Sequence, residues 1–300
     1  AESVVAWTSF ATGLNPGSHK VFDFIMRNPS NYTLYLSLNE ITNKPKLKIN
    51  IRRKGKTFWY FLTKYKIPSF IYFLPNTSPP EKLYGKMLSG MGVPCLYGTM
   101  GRFSFYTNKE ISQEKIKETR GKIINVKIIA NKIKTNIYGP KKEIKGIPIE
   151  MRVPLEITLN PKNQEIEIIF QKNHFFLKKN QWSNWYNIKF NIGPFKNIRG
   201  IVRFYFKSIE PEFELYLSPI NFDPSNPIYP ISYPSNYSKK LVKKVGLFYT
   251  QGMPHDIWSL SEGWLDEKAF LEHVDIVLKE REKILIQELK NFKNGLFFFY

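Results

Sequence analysis

Apolar residues along this chain change their spacing twice. Over residues 4–11 they recur at helical intervals, and Thr12-Gly13 followed by Pro16 marks a stop. Residues 58–65 predict a short helix. Residues 69–74 form a nearly continuous apolar run closed by Pro75 and Asn76, the pattern of a strand buried on both faces. From about Ile111 the runs become short, β-branched or aromatic, and are separated by Gly, Pro and Asn: 122–129, 135–138, 155–159, 165–170, 186–190, 198–207 and 213–218. Several alternate, as in Glu165-Ile166-Glu167-Ile168-Ile169-Phe170, which predicts antiparallel strands with one wet face. A Pro-rich stretch over 219–234 predicts an irregular connection.

The helical period then returns. Asp266 and Glu267 put acids at the positive end of a helix in which Phe270, Leu271, Val274, Val277, Leu278, Leu285, Leu289 and Phe292 recur at three- and four-residue steps. Gly295 ends that pattern, and 296–300 reads as a core parallel strand. The fold class expected is α/β, a parallel-type sheet flanked by helices and interrupted by an antiparallel β-rich insertion. The expected division is 1–110 for the first part of the α/β core, 111–245 for the insertion or cap, and 246–300 for the return to the core. There is no internal repeat.

Composition narrows the class. Hydrophobic residues make up 42% and aromatics 16%, too many for a disordered chain. No apolar run approaches the roughly 20 residues that cross a bilayer. A single cysteine, Cys95, excludes an internal disulfide framework. The formal charge of +20 invites an anionic partner. The lysines are scattered from end to end, however, with no aromatic-interleaved stripe and no nucleic-acid motif, so a nucleic acid is not expected as a specific partner. The four histidines, His19, His174, His255 and His273, form no His-x-His or His-x-x-x-His pair, so surface or packing roles are expected rather than metal ligation.

The candidate chemistry lies at the start. Ser3 stands where the opening helix begins, beside free backbone N–H groups and the positive end of the dipole, a setting that favours a phosphate. A serine there also serves as an ordinary N-cap, and the local pattern alone leaves both roles open. Trp182, Trp185, Trp258 and Trp264, with Tyr249 and Arg203, are candidates for a cleft under the insertion; core packing is the competing role. Of these, Arg203, Tyr249 and Trp258 are the substrate candidates.

The run Ala6-Trp7-Thr8-Ser9-Phe10-Ala11-Thr12-Gly13-Leu14-Asn15-Pro16-Gly17, with His19 and Phe22-Asp23-Phe24 behind it, resembles the nucleophile segment of the alkaline phosphatase superfamily. The branch it resembles most is the type I phosphodiesterase/nucleotide pyrophosphatase family. Met87-Leu88-Ser89-Gly90-Met91-Gly92-Val93-Pro94, Phe103 to Thr107, Arg199 to Tyr205, Glu212 to Ile220 and Tyr249-Thr250-Gln251-Gly252-Met253-Pro254 extend the likeness in order along the chain.

The resemblance implies an alkaline-phosphatase-like core and hydrolysis of phosphate mono- or diesters through a phosphoserine. In the family a Thr or Ser nine residues before the Thr-Gly pair is the metal-bound nucleophile, which falls on Ser3. Ala6 stands where eukaryotic nucleotide pyrophosphatases have an Asn, a departure that bears on nucleotide diesters. Two divalent metal ions, zinc by analogy, are implied as cofactors, and a small phosphoester as substrate. None of the six Asp and His ligands maps onto this chain. The chain therefore reads as an internal fragment, incomplete at both ends and inactive by itself. Sulfatases, phosphonate hydrolases and phosphomutases share the core and remain alternatives, as does a non-catalytic binder of anionic polymers.

Overall fold

Two kinds of sheet divide the protein, and a computed structural model describes them over residues 2–42, 48–144, 146–193 and 196–300. The first is mainly parallel. Leu296–Phe299 lies beside Ser69–Tyr72, which lies beside Gly85–Leu88, and Ser232–Tyr233 adds an antiparallel edge. Side chains along these strands alternate between two helical layers. Ile71, Met87 and Phe298 meet Ala11 and Trp7 of the opening helix Ser3–Thr12, and Phe58 and Trp59 of the helix Phe58–Lys64. Phe70, Tyr72, Leu88, Phe297 and Phe299 meet Tyr237 and Leu241 of the helix Tyr237–Val245, and Ile284 of the helix Glu267–Leu289. Both faces of the central strand are covered, which is why 69–74 shows no polar alternation.

The second kind is antiparallel, as the alternating runs predict. Lys132–Ile144, Ile147–Asn160, Glu165–Phe170 and Asn173–Lys178 form a four-stranded meander. Ile133, Ile137, Val153, Leu155, Ile157, Ile166, Ile168 and Leu177 point into the largest apolar cluster, while Lys132, Lys134, Arg152 and Glu156 stay in water. A five-stranded sheet runs in the order Gln181–Trp182, Phe204–Ser208, Glu214–Leu217, Ser104–Thr107 and Lys122–Asn125, antiparallel except for its last pair, which is parallel. Tyr186–Gly193, Lys196–Val202 and Asn221–Phe222 make a third sheet. The chain is thus mixed α/β. The five-stranded sheet joins Ser104–Thr107, from the first expected segment, to strands of the second, so hydrogen bonding runs across residue 110.

Some elements depart from the sequence reading. The run 198–207 is two strands in two sheets, with the switch at Arg203, whose N–H donates to Ser218 Oγ at 3.0 Å. Asn173–Lys178 was not anticipated, because its hairpin turns through Gln171 at φ 51°, a conformation usually announced by Gly or Asn. The hairpins Ile25–Arg27/Leu34–Leu36 and Asn39–Thr42/Lys48–Ile51, the short helix Gln113–Glu118 and the helix Tyr237–Val245 are likewise additions. The long helix ends at Leu289, before Phe292.

Phe170 is 1% exposed and packs against Phe175, Tyr186 and Phe204. Phe170→Ala is expected to cost about 3–5 kcal/mol in urea unfolding. A loss below about 1 kcal/mol would mean that this cluster does not hold the β-rich part together.

Candidate functional site

The opening helix is built to anchor at one end and remain open at the other. Val4, Thr8 and Ala11 recur every three or four residues and are its buried stripe. Gly13, at φ 68°, closes the helix with an N–H to Ser9 O at 2.7 Å. At the other end Glu2 occupies the capping position, and its carbonyl accepts from Val5 and Ala6 N–H at 3.0 Å each. The Glu2 side chain makes no capping bond and the first turn carries no acid. Ser3 is therefore the first helical residue and solvent-exposed. The capping position belongs to its neighbour. Its hydroxyl stands beside the positive end of the helix dipole, where an anion is favoured.

Three of the segments that carried the resemblance meet under this helix end. Val4 packs with Val21, Leu38 and Met91, and Val5, Phe24, Met100 and Met253 close around them. Asn76, in the loop that leaves the central strand, donates from Nδ2 to Thr8 Oγ1 at 2.7 Å, and Thr8 in turn donates to Val4 O at 2.6 Å. Asn76 sits at φ 61° with its N–H on Met91 O at 2.9 Å. Arg53 Nη1 donates to Asn76 O at 2.9 Å and the same guanidinium pairs with Glu81, which also accepts from Trp59 Nε1 at 3.1 Å. Burial lowers the Arg53 pKa, and Glu81 opposes that shift.

The segment Ser89 to Pro94 threads between two backbones. A Cβ on Gly90 would lie 2.0 Å from Phe73 O, and one on Gly252 2.5 Å from Gly90 O, so only glycine allows the approach. Gly252 N–H then donates to Val93 O at 2.8 Å, which brings the 249–254 motif to the same edge of the sheet. Gln251 Nε2 donates to Met100 O at 2.6 Å, while Gln251 Oε1 is buried without a partner among the described residues. Asn221 Oδ1 accepts from both Thr250 and Gln251 N–H at 2.8 Å.

Arg203 and Tyr249 lie together, in an internal network. Each is 5% exposed. Glu280, from the long helix, accepts from Arg203 Nη2 at 3.1 Å, Trp185 Nε1 at 2.7 Å and Tyr249 N–H at 2.8 Å. The guanidinium also stacks over Trp185 at 4.4 Å. Burial lowers the Arg203 pKa against the pull of Glu280, and burial raises the Tyr249 phenol far above its usual value. Tyr249 Oη reaches Met253 O at 3.3 Å, so the network touches the Ser3 region through that loop. Trp258 is elsewhere, 39% exposed, with the Arg120 guanidinium 3.2 Å from its ring centre. Packing occupies Trp182 and Trp264, in the cluster with Phe103, Phe105, Tyr205 and Tyr216.

The histidines hold structure. His19 is fully buried; its Nδ1 accepts from Val21 N–H at 3.2 Å, so Nε2 carries the proton and donates to Ser9 Oγ at 2.9 Å. Burial lowers its pKa. His174 pairs with Glu167 at 2.7 Å on an exposed sheet face. His273 lies between Trp182 and Tyr249, and burial, then Arg203 and His255, lowers its pKa to about 3. Asp256 caps the short helix Ile257–Ser261 and accepts from Tyr216 Oη at 2.6 Å. Cys95 is buried with Sγ 3.1 Å from Thr99 Oγ1.

A pair of divalent ions does not fit this donor set. Among the described residues no three His, Cys, Asp or Glu side chains converge. Of the acids further along the chain, Glu81 and Glu280 are already satisfied by arginine and indole N–H groups, which leaves Glu2 and Asp23 beside the opening helix, too few to hold two ions.

Asn76, Arg53, Glu81 and Glu280 were missed in the sequence. Asn76 read only as a strand stop, and Glu280 lies in the charged run Lys279 to Lys283, where a buried acid looks like a wet one.

Residues 1–139 match the family model described as Type I phosphodiesterase / nucleotide pyrophosphatase. No curated protein and no solved structure matches the chain significantly. The matched family hydrolyses phosphoesters, is generally metal-dependent and acts on small phosphoesters such as nucleotides.

Glu280→Ala is expected to strand the buried Arg203 charge and cost about 3–5 kcal/mol in chemical denaturation. The double variant Arg203→Met with Glu280→Ala should recover the part due to the unpaired guanidinium, and the loss from the Trp185 and Tyr249 N–H groups that Glu280 also holds should remain. His273 is neutral when folded and protonates near pH 6.5 when unfolded. Its contribution is therefore complete above pH 6.5 and is lost as pH falls toward 3, at about 1.4 kcal/mol per pH unit. Denaturation between pH 6.5 and 5 should show a shallower slope in His273→Phe; an unchanged slope would refute a neutral buried imidazole.

Proposed function

We propose, from the match of residues 1–139 to the type I phosphodiesterase/nucleotide pyrophosphatase family model, that this chain carries the nucleophile of a phosphate mono- or diester hydrolase. The observation that carries the reading is Ser3 at the first position of an N-terminal helix turn whose capping side chain makes no hydrogen bond. In this reading Ser3 Oγ forms a bond to phosphorus as the ester P–O bond breaks, leaving a phosphoserine and the released alcohol. Water then attacks phosphorus as the Ser3 Oγ–P bond breaks, a proton returns to the serine oxygen, and phosphate, or a monoester where the substrate was a diester, is released. The helix N–H groups stabilise negative charge on the phosphoryl oxygens in both steps.

An alkaline-phosphatase-like core is also part of the proposal, with 1–110 and 246–300 contributing to it and 111–245 as the β-rich cap. The parallel strands Ser69–Tyr72, Gly85–Leu88 and Leu296–Phe299 support this, since they come from both sides of the long β-rich stretch. Arg203 and Tyr249 act in it as positioning residues, through Glu280 and the Met253 loop, rather than as direct substrate contacts. Trp258, with Arg120, is kept as a candidate contact on the outer surface. The two zinc-like ions implied by the family find no ligand set among the described residues, so no step here runs through them.

The 300-residue chain alone is expected to give no zinc-dependent hydrolysis of 4-nitrophenyl phosphate; measurable turnover would contradict the reading of its donor set. In any form of the protein that turns over phosphoesters, Ser3→Ala should lower kcat by at least about a thousandfold while metal content stays unchanged. Undiminished activity in that variant would remove Ser3 as the nucleophile.

A further inference from the structure

A cavity of about 350 Å³ opens beside the helix Tyr237–Val245, at the start of strand Gly85–Leu88. That is the opposite end of the strand from Ser89 to Pro94, which runs under the Ser3 helix. The cavity is therefore separate from the candidate active site. Its lining includes Lys86, Tyr237, Lys240, Leu241, Lys244 and Glu288.

The spacing of Tyr237, Lys240, Leu241 and Lys244 sets all four on one helix face. Tyr237 and Leu241, at 5% and 1% exposure, form the apolar floor with Tyr72 and Ile284. Lys240 and Lys244 are exposed above it, one turn apart, so their ammonium groups can converge on one anion. Glu288 faces them from the long helix, buried at 3% exposure, and is engaged by Lys86 Nζ and Tyr72 Oη at 2.9 Å each. Lys86 is thus committed to an acid, whereas Lys240 and Lys244 make no ion pair among the described residues. The Tyr237 hydroxyl is shielded from solvent beside Tyr72 and Glu288.

We propose that this cavity binds a small organic phosphate monoester. Two uncommitted ammonium groups match the charge of a phosphate dianion near pH 7. The apolar body lies against the helix face of Tyr237 and Leu241. The volume suits a single small molecule.

The test uses the 300-residue chain, titrated calorimetrically with phenyl phosphate in EDTA, so that no metal contributes. Saturable binding is expected, at least about tenfold tighter than for inorganic phosphate. Lys240→Glu with Lys244→Glu should weaken it by at least about tenfold. Both lysines are exposed, so thermal unfolding of the double variant should match that of the parent. Ser3→Ala should leave the affinity unchanged, which separates this cavity from the proposed active site. Absence of binding, survival of binding in the lysine variant, equal affinity for inorganic phosphate, or loss of binding in Ser3→Ala would each overturn the proposal.

Discussion

The opening helix is joined to the sheet through one buried hydrogen bond, from Asn76 Nδ2 to Thr8 Oγ1. Asn76 combines three demands that few residues satisfy together. It adopts a left-handed backbone, offers an amide to the helix, and presents its carbonyl to Arg53. Asparagine adopts that backbone region more readily than most residues other than glycine. Through this joint the end of the central strand determines where the helix begins, and so where Ser3 lies. The Arg53–Glu81 pair, closed by Trp59, keeps the joint from turning.

The same edge of the sheet gathers segments far apart in the chain. Gly90 and Gly252 let three backbones cross at distances that a Cβ would forbid. Their contact carries the 249–254 loop to Met91 and Met100, and Met253 then shares a cluster with Val4. Behind this, Glu280 ties Arg203, Trp185 and the Tyr249 backbone into a single unit. The β-rich region and the long helix are thus coupled to the loop that shapes the Ser3 surroundings. Arg203 serves that coupling twice, since the chain changes sheets at the same residue.

Much of the fold could be read from periodicity. The opening helix, the strand at residues 69–72, the β-rich middle and the long helix all announced themselves through spacings that match one buried face or two. Glu165–Phe170 shows the case at its clearest, because inward isoleucines alternate with wet glutamates along a two-residue repeat. The elements missed were those whose turn chemistry was atypical, such as Gln171 at positive φ, or whose face was mixed. The helix Tyr237–Val245 carries four lysines among nine residues, and only the sheet that covers Tyr237 and Leu241 shows which of its faces is dry.

The sequence by itself determined where the chemistry would be sought: a serine ahead of a helical run, followed by Thr12-Gly13 and Asn15-Pro16, is a local signal carried by adjacent residues. Only the tertiary structure decided that Glu2 and not Ser3 takes the capping position, that Arg203 and Tyr249 share a buried carboxylate, and that Trp258 stands apart from them. The reason is physical. Periodicity records which face of an element is dry, but not which element will cover it. A glutamate within a charged helical run acquires its partners only when strands many residues away close over it.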